Sequence, residues 1–128
     1  MAKQIITPNN VHRPRGYSHA IKAGNTIYIA GQIALDQEGN LVGKNDIAAQ
    51  TEQAYENLKR VLEAAGATMD DLVMLTIYCR DMEEFAQKTR EARLKFLGKY
   101  HPAITAVQVS RLYSPDFLIE IEAIAVVG

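Results

Sequence analysis

The sequence contains no tryptophan, a single cysteine and no excess of charge of either sign, and each of these absences excludes a class of function. With 14 basic and 15 acidic residues, a formal net charge of -1 gives no positive field to attract a polyanion. Aromatic residues make up 7% of the chain, which is too few for the stacking platforms of an RNA-binding groove. We therefore expect neither nucleic acid nor an anionic membrane as a partner.

Cysteine usage and hydropathy indicate the compartment. Cys79 has no second cysteine with which to form an internal disulfide, and its apolar neighbours predict a buried structural thiol in a reducing environment. The N-terminus offers only the brief apolar pair Ile5 and Ile6, and no later apolar run is long enough to cross a membrane. We expect a cytoplasmic protein, and a length of 128 residues predicts one domain over residues 1–128.

Two amphipathic helices are predicted. From Asp46 to Ala65 apolar residues recur at helical spacing, and Gly66 is placed as a C-terminal stop. The second helix begins after Asp81, whose carboxylate can cap it, with Glu84 completing a pair that resembles a capping box. This helix is expected to end near Gly98.

Several segments have the patterns of β-strands. Residues 72–79 are apolar at nearly every position, which predicts a central strand covered on both faces. Residues 19–23 and 26–30 flank Gly24-Asn25, a two-residue turn that suits an antiparallel hairpin. A further strand is predicted at residues 3–7.

The C-terminal region supplies two more strands, and the order of elements then defines the fold class. The first begins near Pro102 and the second covers residues 119–123. The order strand, strand, strand, helix, strand, helix, strand, strand predicts an α+β domain, in which both helices cover one face of a mixed sheet. Apolar residues on the opposite face then predict burial against other subunits, and therefore an oligomer.

Two carboxylates stand out in the last strand. In a regular strand Glu120 and Glu122 share one face, while Ile119, Ile121 and Ala123 take the other. A solvent-exposed face is the ordinary interpretation of such alternating charge. The alternative is a semi-enclosed cleft, in which a carboxylate is a suitable base to orient and deprotonate water.

Four parts of the chain together resemble the Rid family of reactive intermediate deaminases (RidA/YjgF). They are the C-terminal strands at 102–112 and 119–123, Gly16-Tyr17-Ser18, Gly31-Gln32, and the helix end at 57–66. The resemblance spans nearly the whole chain and implies a Rid/chorismate-mutase-like fold, assembled as a homotrimeric barrel with ligand pockets in the clefts between subunits. It implies hydrolysis of an enamine or imine, such as 2-aminoacrylate, to a 2-keto acid and ammonia without a metal or organic cofactor.

The resemblance also assigns site residues. Glu120 is expected to position the attacking water, while Tyr17, Gly31, Ile104 and Ala106 line the substrate pocket. Ile104 is a departure, because family members that act on 2-imino acids carry arginine there to bind the substrate carboxylate. Losing one partner of such a desolvated pair costs about 2–5 kcal/mol, so we expect an altered substrate range.

Other interpretations remain open. Arg13 or Arg15 beside Tyr17 would replace the missing cation if either bends into the cleft, and otherwise both belong to a solvated basic loop. His12 and His19 lack a third ligand at a suitable spacing, so no metal site is predicted. The competing functions are a non-catalytic trimer that binds a small metabolite and, least favoured, an endoribonuclease or translation inhibitor.

Overall fold

Residues 2–128 are described by a computed structural model, and their backbone forms a six-stranded sheet with helices packed on one face. The elements are β1 (Lys3–Ile6), β2 (Ala20–Ala23), β3 (Thr26–Gln32), α1 (Ile47–Ala64), β4 (Leu72–Cys79), α2 (Met82–Lys88), α3 (Arg90–Leu97), β5 (Ala103–Gln108) and β6 (Ile119–Val126). A short 3-10 turn, Met69–Asp71, leads into β4. The α+β class and the mixed sheet expected from the sequence are confirmed.

The strands lie in the order β1-β2-β3-β6-β4-β5. Neighbouring strands are antiparallel except for β4 and β5, which run parallel because α2 and α3 connect them on one side of the sheet. The expected hairpin is present, with β2 and β3 antiparallel and Ala23 opposite Thr26 across the turn. This order places β6, the strand that carries Glu120, between β3 and β4.

Helix α1 forms where the sequence predicts it. The Asp46 carboxylate accepts a hydrogen bond from the Ala49 N–H and so caps the first turn. Its inner face buries Ala54, Leu58 and Leu62 against the sheet. Burial of such a face, rather than helix propensity alone, stabilises a helix of this length.

The prediction of one continuous helix after Asp81 is wrong, because the segment is divided into α2 and α3 at Thr89. The Thr89 hydroxyl donates to the Phe85 carbonyl oxygen at 2.6 Å, and its backbone leaves the helical region with ψ near 0°. A threonine that bonds back to the preceding turn competes with the helical backbone and bends it. The domain therefore has three α-helices among residues 2–128. None of them is both long and apolar enough to cross a membrane.

The two faces of the sheet differ sharply. Alternate residues of β6, including Ile119 and Ile121, are buried under the helices. The other face, which we call the open face, has no helix over it and leaves Met74 and Tyr28 exposed. Strand β4 is thus paired on both edges and covered by its own chain on one face, while cover of its other face by further subunits stays a prediction.

Candidate active site

Glu120 lies near the start of β6 and projects onto the open face. The alternation of β6 places Glu120 and Glu122 together on that face, as the sequence predicts, and leaves both half-buried. Tyr78 of β4 stands directly opposite Glu120 in the antiparallel pair. The carboxylate is therefore held on the middle of the sheet, not at its edge.

A bulge in β3 makes room for this carboxylate. Ile29 pairs with Ala123 while Gln32 pairs with Ile121, so three steps along β3 match two along β6. Gly31 lies in this bulge, and the Glu120 side chain folds over it so closely that an added Cβ would sit 2.0 Å from Glu120 Oε2. A glycine in a bulge permits such a close approach because it has no side chain.

The surroundings of Glu120 favour its protonated form. Burial raises the pKa of Glu120, and the negative charge of Glu122 raises it further. Glu122 is itself fixed, because its Oε1 accepts a hydrogen bond from the Tyr78 hydroxyl at 2.5 Å. Glu120 is consequently a stronger base than an exposed carboxylate.

Tyr17 approaches the same carboxylate from the loop before β2. Its ring packs edge-on against His19, with centroids 5.7 Å apart, and its hydroxyl oxygen lies 3.3 Å from His12 Nε2. The pKa of Tyr17 is raised first by burial and then by the charge of Glu120. His19 contacts both Tyr17 and Gln32, the neighbour of Gly31, so the structure brings Tyr17 to the part of the sheet where Glu120 covers Gly31.

Behind Tyr17 is a buried polar cluster that the sequence reasoning missed. It consists of His12, His19 and Gln32, each less than 5% exposed. The sequence indicates a solvated basic loop around Tyr17 and no metal site at His12 and His19, and neither expectation includes a buried polar cluster. The register of the predicted hairpin is a signal for part of this cluster, because it sets His19 opposite Ala30. The Ala30 N–H donates to the His19 carbonyl oxygen, and this pairing brings His19 close to Gln32.

Ile104 and Ala106 are not brought to Glu120 within one chain. In β5 they pair with Leu75 and Ile77, whose side chains belong to the helix-covered core. Residues paired across a sheet project to the same face, so Ile104 and Ala106 lie on the face opposite Glu120, with β4 between the two strands. Ala106 packs against the core, while Ile104 remains 39% exposed.

The basic loop that carries Arg13 and Arg15 lies at the surface. Arg13 and Arg15 are exposed, and neither takes part in a salt bridge within the part of the chain that the structure describes. Among residues 2–128 no three or more His, Cys, Asp or Glu side chains are grouped so as to hold a metal ion. The site as it stands in one chain is therefore a carboxylate, a phenol and a glycine backbone.

Comparisons with known proteins identify the family. The family model described as endoribonuclease L-PSP matches residues 8–127. A solved structure from Yersinia pestis, titled as a protein of unknown function of the conserved Rid protein family, superposes with a TM-score of 0.91 at 36% identity, covering 98% of this chain and 100% of that one. The chain belongs to the Rid family.

Curated relatives agree with this assignment to the Rid family. A RutC family protein of Pyrococcus horikoshii is 48% identical over 124 residues, covering 96% of this chain and 97% of its own. The 2-iminobutanoate/2-iminopropanoate deaminase of Salmonella typhimurium is 37% identical over 128 residues, covering 98% of both chains. The match therefore extends over the whole length of the domain.

A groove on the open face of this Rid-family domain runs beside the carboxylates. It encloses about 400 Å³ and is lined by Ser18, Ile21, Tyr28, Ile29, Ala30, Met74, Thr76, Glu122, Ala123 and Ile124. Most of this lining is apolar, and Glu122 supplies its one carboxylate. Glu120, Tyr17 and Gly31 do not line this groove, but their neighbours Ser18, Ala30 and Glu122 do.

Proposed function

We propose that this protein is an enamine or imine hydrolase of the deaminase type, with an altered substrate range, that works as a homotrimer binding its substrate in the clefts between subunits. The observation that carries the proposal is the half-buried Glu120 carboxylate, folded over Gly31 beside Tyr17. This arrangement provides a base of raised pKa next to a hydrogen-bonding phenol and an accessible backbone.

The chemistry follows from the needs of imine hydrolysis. Water adds to the carbon of the protonated imine while Glu120 accepts one of the water protons, which gives a carbinolamine. Glu120 passes this proton to the nitrogen, the C–N bond breaks, and ammonia leaves as the hydroxyl gives its proton to Glu120 and becomes the carbonyl. An enamine enters the same route after its carbon is protonated to the imine. No step requires a metal or an organic cofactor.

The placement of the remaining pocket residues favours a shared site. Ile104 and Ala106 lie on the face opposite Glu120, so a cleft that contains all of them must combine two chains. Exposed apolar side chains on the open face, among them Met74 and Tyr28, favour assembly in the same way. In this proposal one subunit supplies Tyr17, Gly31 and Glu120, and its neighbour supplies Ile104 and Ala106.

The proposed substrate range rests on Ile104. An exposed isoleucine offers no charge-assisted contact to a carboxylate, so a substrate that depends on that contact binds weakly. The Salmonella typhimurium relative named as a 2-iminobutanoate/2-iminopropanoate deaminase supports the reaction class. We expect this protein to prefer imines whose side facing Ile104 is apolar or uncharged, and to act in the cytoplasm, where the lone Cys79 stays reduced.

Ile104 also favours a second candidate, a non-catalytic trimer that binds a small metabolite in the same clefts. An apolar contact in place of a carboxylate-binding group suits recognition of a ligand that is not an imino acid. The two functions differ in their need for Glu120 as a base. Substitution of Glu120 by glutamine keeps the shape of the side chain and one accepting oxygen but removes that basicity.

The test measures release of ammonia and carbonyl product from freshly generated 2-aminoacrylate and from bulkier and uncharged imines, with spontaneous hydrolysis subtracted. Wild type, Glu120→Gln and Ile104→Arg are compared, and Glu83→Gln, at an exposed position of α2, is the matched control. We expect Glu120→Gln to lower kcat by about 100-fold to 10,000-fold and Glu83→Gln to leave it unchanged. No release by wild type above the spontaneous rate would reject the hydrolase in favour of the binding protein, and equal catalysed rates in wild type and Glu120→Gln would reject Glu120 as the base.

A further inference from the structure

The buried cluster behind Tyr17 contains two histidines that the proposed hydrolysis does not use. His12 is 4% exposed and His19 is 1% exposed, and their rings meet edge-on with centroids 4.8 Å apart. Each is a polar ring removed from water, so its hydrogen bonds decide what it contributes. The atom that each ring nitrogen meets determines whether that nitrogen donates or accepts.

The partners of His19 define its tautomer. Its Nε2 lies 2.7 Å from the His12 carbonyl oxygen, which can only accept, so the proton is on Nε2. Its Nδ1 then accepts from Gln32 Nε2 at 3.1 Å, and the second amide hydrogen of Gln32 goes to the Ala30 carbonyl oxygen at 3.1 Å. Both Gln32 partners are acceptors, which fixes the orientation of the amide. His19 and Gln32 therefore form a rigid frame that holds the backbone of His12.

His12 has one partnered and one unpartnered ring nitrogen. Nε2 lies 3.3 Å from the Tyr17 hydroxyl oxygen, and Nδ1 is buried without a hydrogen-bond partner in the protein. Burial and the neighbouring His19 lower the pKa of His12 to about 4, so at neutral pH the ring carries a single proton. That proton is on Nε2 or on Nδ1.

Placing the proton on Nδ1 would leave a buried N–H donor without an acceptor. Placing it on Nε2 leaves only an unused lone pair on Nδ1, and unsatisfied buried donors are the rarer and costlier case. In the Nε2 tautomer His12 donates to the Tyr17 oxygen. The phenol then has its own hydrogen free to donate elsewhere, since a hydroxyl both donates and accepts.

We propose that His12 is a positioning residue, whose Nε2–H donates to the Tyr17 oxygen and so directs the Tyr17 O–H toward a substrate bound beside Glu120. This inference rests on the proposed function for the identity of the acceptor, which is a nitrogen or oxygen of the reacting imine or carbinolamine. The alternative arrangement, with Tyr17 donating back to His12, would turn the phenol away from the substrate.

The first experiment determines the tautomer directly. The 15N shifts of the ring nitrogens in uniformly labelled wild-type protein distinguish protonated from unprotonated nitrogens, and His12→Gln, His19→Gln and His101→Gln assign the three rings. We expect His12 to be protonated at Nε2. Protonation at Nδ1 would overturn the proposal, whether or not the protein hydrolyses imines.

The second experiment measures the titration of Tyr17 by NMR of 13C-labelled tyrosine, in wild type, His12→Phe and His12→Gln. A donor to the phenol oxygen stabilises the phenolate, so its removal in His12→Phe should raise the pKa of Tyr17. His12→Gln, whose amide can donate from a similar position, should reverse most of that change. A lower pKa of Tyr17 in His12→Phe would mean that Tyr17 donates to His12 and would overturn the proposal.

The third experiment links the contact to catalysis through a double-mutant cycle. We expect His12→Phe to lower kcat/KM about tenfold when Tyr17 is present, as for the loss of one hydrogen bond, and to cause no further loss in a Tyr17→Phe background. The same loss in both backgrounds would show a purely structural role for His12. If wild type releases no ammonia from any imine, the proposed function fails, while the tautomer and the Tyr17 titration still decide which way the hydrogen bond runs.

Discussion

Glu120 covers Gly31 so closely that the carboxylate occupies the space in which a side chain at position 31 would begin, 2.0 Å from Glu120 Oε2. The bulge in β3 and the alternation in β6 produce this contact together, since neither strand alone would bring the two residues into register. The position of the proposed base is therefore set by the backbone of the neighbouring strand. Any atom added at Gly31 must displace it.

We expect Gly31→Ala to reduce activity far more than stability. The added Cβ meets the far end of the Glu120 side chain, which can rotate away, so the fold should tolerate the change. A displaced base is a misplaced catalytic group, and a shift of about 1 Å costs about 100-fold in rate. Imine turnover and thermal unfolding of the same preparation measure the two effects.

The matched control for Gly31→Ala is the same substitution in Glu120→Gln. If Gly31 acts by leaving room for the base, the double variant should turn over no more slowly than Glu120→Gln alone. A further large loss in the double variant would show that Gly31 contributes separately, for example by contacting the substrate through its backbone.

Glu122→Gln should change the pH dependence of turnover. Glu120 must be ionised to accept a proton, so activity falls as pH decreases through its pKa, which burial and the charge of Glu122 hold above the ordinary value. Removing the charge of Glu122 lowers that pKa, and the acidic limb of kcat/KM should move to lower pH. The control is Glu83→Gln, an exposed position on α2, which should leave the limb in place. If the acidic limb of kcat/KM does not move in Glu122→Gln, a group other than Glu120 controls the pH dependence.

Local patterns in the sequence predict most of this fold. The Gly24-Asn25 turn predicts the hairpin, and the alternation around Glu120 predicts which residues share its face. The break at Thr89 is not predicted, because helical spacing continues through it and a single side-chain hydrogen bond causes the bend. Local pattern also does not predict which face of the sheet Ile104 occupies, because that face depends on the register of β5 with β4. The cluster of His12, His19 and Gln32 requires three separate segments to meet.

Gln50 joins the chain segments that lead into the site. It is fully buried, and its amide nitrogen donates to the carbonyl oxygens of Gly43 and Asp116 while its oxygen accepts from the Leu118 N–H. Gln50→Leu would leave the Asp116 carbonyl and the Leu118 N–H without partners and would remove one of the two hydrogen bonds to the Gly43 carbonyl, so we expect it to lower the free energy of unfolding by about 3 kcal/mol. Chemical denaturation measures this, with the exposed Gln87→Leu as control. Equal stability of the two variants would show that the loops rearrange around a leucine.

The open face offers a test of assembly. Met74 on β4 is 37% exposed and lines the groove, whereas Leu94 on α3 is 43% exposed on the opposite side of the domain. If the open face is buried between subunits, Met74→Asp places a charge in an apolar interface and should convert the oligomer to monomers. Leu94→Asp should leave the oligomer intact. Sedimentation equilibrium gives both masses, and a wild-type monomer would contradict the proposed homotrimer.

The opposite placement of Ile104 and Glu120 leads to the most specific prediction. We expect Ile104→Arg to increase kcat/KM for 2-imino acids by about thirty-fold or more by supplying a desolvated cation for the substrate carboxylate, while Ile104→Leu should leave it unchanged. Because Ile104 and Glu120 lie on different faces of one sheet, the introduced arginine should act on a substrate held at the Glu120 of a neighbouring chain.

Mixed oligomers test whether the two residues come from different chains. Chains that carry both Ile104→Arg and Glu120→Gln should be inactive alone. Co-assembled with wild-type chains, which retain Glu120, they should show the gain in kcat/KM. Absence of the gain in such mixed oligomers, with Ile104→Arg active by itself, would place residue 104 and Glu120 in the same subunit's site and contradict the shared cleft.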